Sequence, residues 1–471
     1  MIGEDIAESV LKEAGANESI ILAEVRLERR EKRYISVRAG QVVSIMSGED
    51  SGMNVRVVLP SGIGFSSVND ISKEAGLKLL RAALKQAKNG HRRYPASVSQ
   101  EPAAKATWQV RQKKPLADLS VDDRVNFIRS VDSSVMKTGV KVHGRFYELK
   151  ENEITSYFAN SEGSRIGSSF PRVKVDAFNV VSAKGETEQS FREWGATGGW
   201  EKVEEWDVAS ALSDEVKMLK KQIEKGRRVK EATYDLVCGP EVVGIASHES
   251  CGHPMEADRI LGREMSQAGR SFVTPDHLGK AIGSKYVNVL DDPTVPGSYG
   301  FYMYDQEGVK ARPRYLYKQG IINEFLHNRE TASKLGTHSN GSSRTETYIH
   351  EPIVRMANTF VAPGDFQEDE LIGSIKNGVL MNSFTEWNID DKRFNQKYVS
   401  REAYFIEDGE LGGPARKCVL EITTPGFWGA VDAVSKKVEF SSGECGKGDP
   451  MQSAAVFTGG PMIRLRGVVL K

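Results

Sequence analysis

Two histidines, His248 and His253, stand five positions apart and enclose Glu249, Ser250, Cys251 and Gly252. Neutral imidazoles are good zinc ligands, and a carboxylate beside a ligand is placed to take a proton from activated water. The run therefore reads as hydrolytic metal chemistry. It has one residue more between the histidines than the zinc pattern H-E-x-x-H. At about 100° per residue, positions i and i+4 differ by about 40° around a helix, but i and i+5 differ by about 140°. A regular helix would aim His248 and His253 apart, so chelation requires a π-turn or a break near Gly252. A deformed helix end is the expectation. With eight histidines in the chain, such a pair with Glu after the first arises by chance in roughly one sequence in a hundred. Two structural histidines satisfied by hydrogen bonds are the alternative.

A catalytic zinc takes three protein ligands and leaves a position open. Cys418, Cys445, His327, His338, His350 and several carboxylates are candidates for the third. Cys418 lies in a strand pattern that suits a buried thiol, whereas Cys445 stands in a Gly-rich run, Ser441 to Asp449, that reads as a sharply turning loop. Cys251 would point away if the histidines converge. Asp258, ten residues after His248, reads either as a carboxylate orienting a ligand or as a helix-surface acid. If Thr345 to His350 is extended, Tyr348 and His350 share a face and either could stabilise an oxyanion, with Arg344 and Arg355 nearby; packing inside a sheet is the alternative. The acid run Glu368-Asp369-Glu370 reads as a solvated helix start.

These residues need elements to position them. Gly239 ends a strand pattern over Tyr234 to Cys238, and Pro240 opens a helix that delivers His248. Upstream, Ile6 to Glu13 reads as a helix, and the alternation in Ile21 to Glu28 and Gly52 to Leu59 predicts antiparallel strands with one face solvated. Ser72 to Ala87 is helical by its apolar stripe. Residues 91–106 lack a period and contain Pro95 and Pro102, a linker signature. Ser120 caps a helix to about Met136, strands follow at Phe146 to Leu149, Glu153 to Ala159 and Val173 to Val181, and Val208 to Lys225 closes the unit as a helix. From Ala232 onward short strands and Gly- and Pro-containing loops dominate, the histidine helix excepted. The expectation is an α+β chain: mixed helix-strand units at 1–100 and 107–226, then a β-rich domain at 227–471 that bears the metal helix.

Composition excludes several classes. The 471 residues, 39% hydrophobic and 27% charged, are ordinary globular material and too many for one core. Lys+Arg 64 balances Asp+Glu 64, so no long-range positive field recruits nucleic acid. No stretch approaches the roughly 20 apolar residues that span a bilayer, and the start carries acids where a secretory signal carries cations. A cytoplasmic location is expected, and four cysteines are read without a disulfide.

The long histidine motif, continued as Pro254-Met255-Glu256-Ala257-Asp258, with Arg355-Met356-Ala357-Asn358 and Cys445-Gly446-Lys447, resembles the TldD/PmbA metallopeptidase family, specifically its TldD-type subunit. The resemblance runs through the whole chain, including Val55 to Val58, Gly62 to Ser67, Ser161 to Gly163 and Ile406 to Glu410. It implies zinc held by His248, His253 and Cys445, with Glu249 as the catalytic carboxylate. It also implies a peptide or unfolded polypeptide substrate, and a PmbA/TldE-type partner subunit or a second copy. Arg344-Thr345 departs from the two adjacent arginines common in the family. Two other readings stand beside zinc peptidase: a non-catalytic regulatory protein with a structural zinc site, and a Cys445 nucleophile with a histidine base.

Overall fold

A computed structural model of the chain describes residues 2–90, 95–263 and 269–471. One long antiparallel hairpin, Leu22–Arg38 with Gln41–Leu59, organises the first half. It is extended through Gly62–Val68 on one side and through Val142–Asn160, Arg165–Ala183 and Glu186–Ala196 on the other, with Lys105–Gln109 added in parallel to Arg165–Ala183. The two N-terminal units thus share one seven-stranded sheet. The strand patterns at 146–149 and 153–159 are parts of a single strand of 19 residues. Of the expected linker, 91–94 lie outside the described residues, and its end enters the sheet as Lys105–Gln109.

One face of this sheet is apolar and carries four helices. Glu4–Ala14 and Lys73–Lys88 cover Ala23, Val25, Leu27 and Val55, while Val121–Lys137 and Val208–Lys225 cover Val37, Leu149 and Val175. Local chemistry sets the helix starts: the Ser72 hydroxyl accepts from Ala75 N, and Ser120 with Asp123 forms a capping box.

The opposite face is charged, and the expectation that it is solvated is overturned. Glu24, Arg26 and Glu28 are 4%, 4% and 1% exposed because the C-terminal domain lies over them. Arg56 Nη1 donates to Glu24 Oε2 at 2.8 Å and to Glu307 Oε1 at 2.6 Å, and Asn54 Nδ2 donates to the Tyr348 carbonyl at 2.8 Å. Pairing across the boundary offsets only part of the desolvation of these groups.

The C-terminal half is α+β with two large sheets and a two-stranded one, Ser343–Arg344 with Ile353–Val354, among the described residues. Ala232–Cys238 lies inside an eight-stranded sheet, between Asn377–Ile389 (parallel) and Ile463–Leu470 (antiparallel). A six-stranded sheet ends in Gln452–Gly460 and, at its edge, Glu439–Lys447. The helix Pro240–Ser247 packs against both, with Val242, Val243 and Ala246 in the main core. It approaches Gln452–Gly460 so closely that a Cβ on Gly244 would fall 2.8 Å from the Gly459 nitrogen. Short helices at Arg329–Lys334, Glu368–Gly373 and Thr424–Gly429 add to the histidine helix, and Glu368-Asp369-Glu370 indeed forms a first turn, with Glu368 half-buried and Asp369 and Glu370 exposed. No helix among the described residues is long and apolar enough to cross a membrane.

Candidate metal centre

The α-helix Pro240–Ser247 continues as a π-turn over His248–Gly252 and a 3-10 turn over His253–Met255. The wider turn absorbs the extra residue, so the rings of His248 and His253 come to 4.8 Å between centroids. Gly252 permits it: a Cβ there would lie 1.9 Å from Met356 Sδ. The turn is braced from the core side, where Trp428 Nε1 donates to Ser250 Oγ at 3.0 Å and the Tyr317 hydroxyl donates to the Ser250 carbonyl at 3.2 Å. Cys251 points into that core and is fully buried.

Cys445 completes the cluster. Its Sγ lies 3.4 Å from His253 Nε2, and the donor atoms of His248, His253 and Cys445 all fall within 4.8 Å of one another. This is the one such grouping of three among the described residues. Cys445 sits on the edge strand Glu439–Lys447, opposite Ala454, rather than in the loop its glycines suggested. Pairing with Gln452–Gly460 supplies the ladder that holds this Gly-containing stretch extended. His327 bonds Thr331 instead, and Cys418 is a buried core thiol.

The donor set suits a metal. Tetrahedral zinc with Zn–N and Zn–S bonds of about 2.05 and 2.3 Å puts N and S about 3.6 Å apart, close to the 3.4 Å between His253 Nε2 and Cys445 Sγ. His248 Nδ1 is buried with no hydrogen-bond partner among the described residues, so no protein group competes for it. Burial pushes His253 down to about 4 and lowers His248 as well, which keeps both rings neutral. Burial pushes the Cys445 thiol up, but His253 and Arg355 outweigh it and bring the thiol down to about 7. Arg355 also donates to the Cys445 carbonyl and, at 3.0 Å, to that of Gln452, so it fixes the cysteine strand.

Glu256, absent from the sequence-derived site, orients the His253 ring. His253 Nδ1 donates to Glu256 Oε2 at 2.9 Å, leaving Nε2 toward Cys445. Burial would raise the Glu256 carboxyl, yet Lys447, His253 and Arg259 hold it well below the usual range. Its position three residues after His253 was the available signal. Asp258 touches neither histidine: Lys447 Nζ donates to its two oxygens at 2.7 and 2.9 Å. Asp258 therefore anchors the cysteine strand, because the turn after Glu256 aims it at Lys447.

Arg344, Tyr348 and His350 lie away from the cluster. Residues 345–350 bend and turn instead of running extended, which separates them from the histidines. Arg344 donates to the carbonyls of Met356 and Ala455, the Tyr348 hydroxyl donates to Asp50 Oδ1 at 3.0 Å, and His350 is half-buried beside Thr347.

The cluster opens on a cleft of about 690 Å³ between the edge strands Glu186–Ala196 and Glu439–Lys447 and the hairpin that begins at Asn377. Phe191, Trp194, Phe384 and Trp387 give it apolar walls. Glu249 lines it beside the histidines, with Oε1 4.0 Å from His253 Nε2. Glu249 Oε2 accepts from Arg393 Nη1 at 2.8 Å. Arg393 belongs to the turn between Asn377–Ile389 and Asn395–Glu407, and no sequence signal marked it.

Comparison with known proteins shows the family of the chain. Residues 23–87, 114–223 and 231–471 match domain 1, the central domain and the C-terminal domain of the PmbA/TldA metallopeptidases. A metalloprotease of Methanocaldococcus jannaschii is 30% identical over 94% of this chain and 95% of its own length. A zinc metalloprotease TldD homolog of Saccharolobus solfataricus is 26% identical over 94% and 95%. The crystal structure of TldE from Thermococcus kodakarensis has the same fold, with a TM-score of 0.76, 18% identity and 99% of each chain covered. By its domains, its relatives and its fold, the chain belongs to the PmbA/TldA metallopeptidase family.

Proposed function

We propose that this metallopeptidase is zinc-dependent, with His248, His253 and Cys445 holding the ion and Glu249 acting as proton carrier in peptide-bond hydrolysis. One observation carries the proposal: three donors converge on the wall of an open cleft with a carboxylate beside them. Two imidazoles and a thiolate suit zinc, and the name of the Saccharolobus relative includes the metal. When bound, zinc supplies Lewis acidity to a carbonyl and to a water.

The chain's own groups do the remainder. Glu249 takes the proton of the attacking water on the oxygen facing His253 and delivers it to the departing amine. Arg393 holds the other oxygen, which fixes the carboxylate's direction. Substrate is proposed to be small or extended polypeptide: Glu439–Lys447 is an edge strand, and main-chain pairing with it would lay a peptide across the cluster. A TldE-type subunit or a second copy is proposed as partner, and gel filtration with and without a TldE-type subunit tests it. The cleft's openness speaks against a closed structural zinc site.

The test is hydrolysis of an unstructured peptide by the purified chain, with its partner if needed. Activity should vanish with a chelator and return with added zinc. Stoichiometric zinc in a complex that cleaves no peptide would favour the regulatory reading, and loss of activity on alkylation with zinc retained would favour a Cys445 nucleophile.

A further inference from the structure

A second cavity, of about 230 Å³, lies between the charged face of the N-terminal sheet and the C-terminal domain. Its floor takes alternate residues from neighbouring strands, so Arg26, Glu28 and Arg30 stand beside Ile154, Ser156 and Phe158, then Ser168, Phe170 and Arg172. Tyr299, Tyr302 and Arg344 close it from the other domain.

Cations exceed anions in this lining. Arg26, Arg30, Lys32, Arg172 and Arg344 face Glu28, Asp305, Glu346 and Glu444. Most of the carboxyls are already engaged. Glu28 accepts from both Arg26 and Arg30, Asp305 accepts three main-chain N–H groups, and Glu346 accepts from Ser453 N. Several guanidinium donors are not, although Arg26 and Arg30 each give one to Glu28. Arg26 is 4% exposed, and its Nε and Nη1 have no hydrogen-bond partner among the described residues; nor does Arg172 Nε. Arg344 donates to two carbonyls rather than to a carboxylate. Arg172 is flanked by rings, 5.1 Å from the Phe170 centroid and 5.9 Å from that of Tyr299. Burial, and after it the charge of Arg344, lower Arg172 to about 9, the signature of a cation short of counter-charge.

We infer that this cavity binds a compact oxyanion, of the phosphate or carboxylate class, with Arg172 and Arg26 as its principal donors. Planar guanidinium forks match both groups in bidentate fashion, and the surrounding rings exclude water from the contact. The volume, several times the roughly 30 Å³ that one water occupies, suits such an ion or the end of a larger ligand. The inference does not depend on the zinc reading: the metal cluster opens on the other cleft, whose lining shares only Glu444 with this cavity.

Isothermal titration of the whole chain with inorganic phosphate, and separately with succinate, at constant ionic strength tests it. Saturable one-site binding of at least one anion is expected, and the anion that binds identifies the class. Arg172→Gln should weaken binding by about tenfold or more, Arg172→Lys by less, and His248→Ala should leave it unchanged. Should Arg172→Gln fail to fold, Arg172→Lys and Arg344→Gln read the same effect. The inference is overturned if neither anion binds saturably, or if binding survives the Arg172 substitutions and is lost in His248→Ala, which would put the anion at the metal cluster.

Discussion

Arg393 Nη1 donates to Glu249 Oε2 at 2.8 Å across 144 residues of sequence. Arg393 itself adopts a left-handed conformation, φ 66°, in its turn, and Asp390 accepts from the Phe394 and Asn395 nitrogens to hold that turn. The pair ties the hairpin wall of the cleft to the histidine helix and leaves one oxygen of Glu249 facing the cluster.

Glu249→Gln should lower kcat by about 10² to 10⁴ while zinc stays bound, because proton transfer is lost and the ligands are untouched. Arg393→Gln should lower kcat/KM by about tenfold or more, Arg393→Lys by less, and the double substitution should be no worse than Glu249→Gln alone. Wild-type turnover in Glu249→Gln would remove Glu249 from the reaction.

Ligand orientation gives a second prediction. Glu256→Gln leaves His253 Nδ1 without its charged acceptor and also removes a partner of Lys447. Zinc affinity, measured by competition with a chromogenic chelator, should fall about 10- to 100-fold. Asp258→Asn should have a smaller effect, because it acts only through Lys447 and the cysteine strand. Equal zinc affinity in Glu256→Gln and the wild type would show that the contact does not tune the ligand.

The π-turn gives a third. In Gly252→Ala the new methyl would overlap Met356, which is 1% exposed and has little room to move. Thermal unfolding should show a destabilisation of about 1 to 3 kcal/mol, with weaker zinc binding. Met356→Ala should restore part of both in the double variant. Wild-type stability in Gly252→Ala would mean that the turn tolerates a side chain.

The charged seam between the halves gives a fourth. Glu24 and Glu307 share Arg56, and burial, partly opposed by Arg56, raises the Glu24 carboxyl to about 7 from its ordinary 4.5. Between those values the folded chain holds a proton that the unfolded chain has released, so stability falls as pH rises from about 4.5 to 7. Urea unfolding at pH 5 and pH 8 should show this, by about 2 kcal/mol at Glu24. Glu24→Gln should flatten the slope and be the more stable protein at pH 8. An unchanged slope in Glu24→Gln would assign the effect to other groups.

Local rules made much of this protein legible. Ser72 and Ser120 set helix starts, the apolar stripe of Val208 to Lys225 set a helix whole, and the five-residue histidine spacing demanded the π-turn that is present. These features depend on residues within a few positions of one another, where backbone geometry fixes who meets whom. The same rules failed where the partner is remote. Alternation marked one face of Leu22–Arg38 as charged, but periodicity cannot say whether water or another domain covers that face. Cys445 reaches His253 across 192 residues, and Lys447 reaches Asp258 across 189, because a strand ladder and a helix end bring them together. The chain's chemistry was written in its residue types; which carboxylate orients a histidine, which one anchors a strand and which arginine holds Glu249 were decided by packing, since only packing fixes distances between segments far apart in sequence.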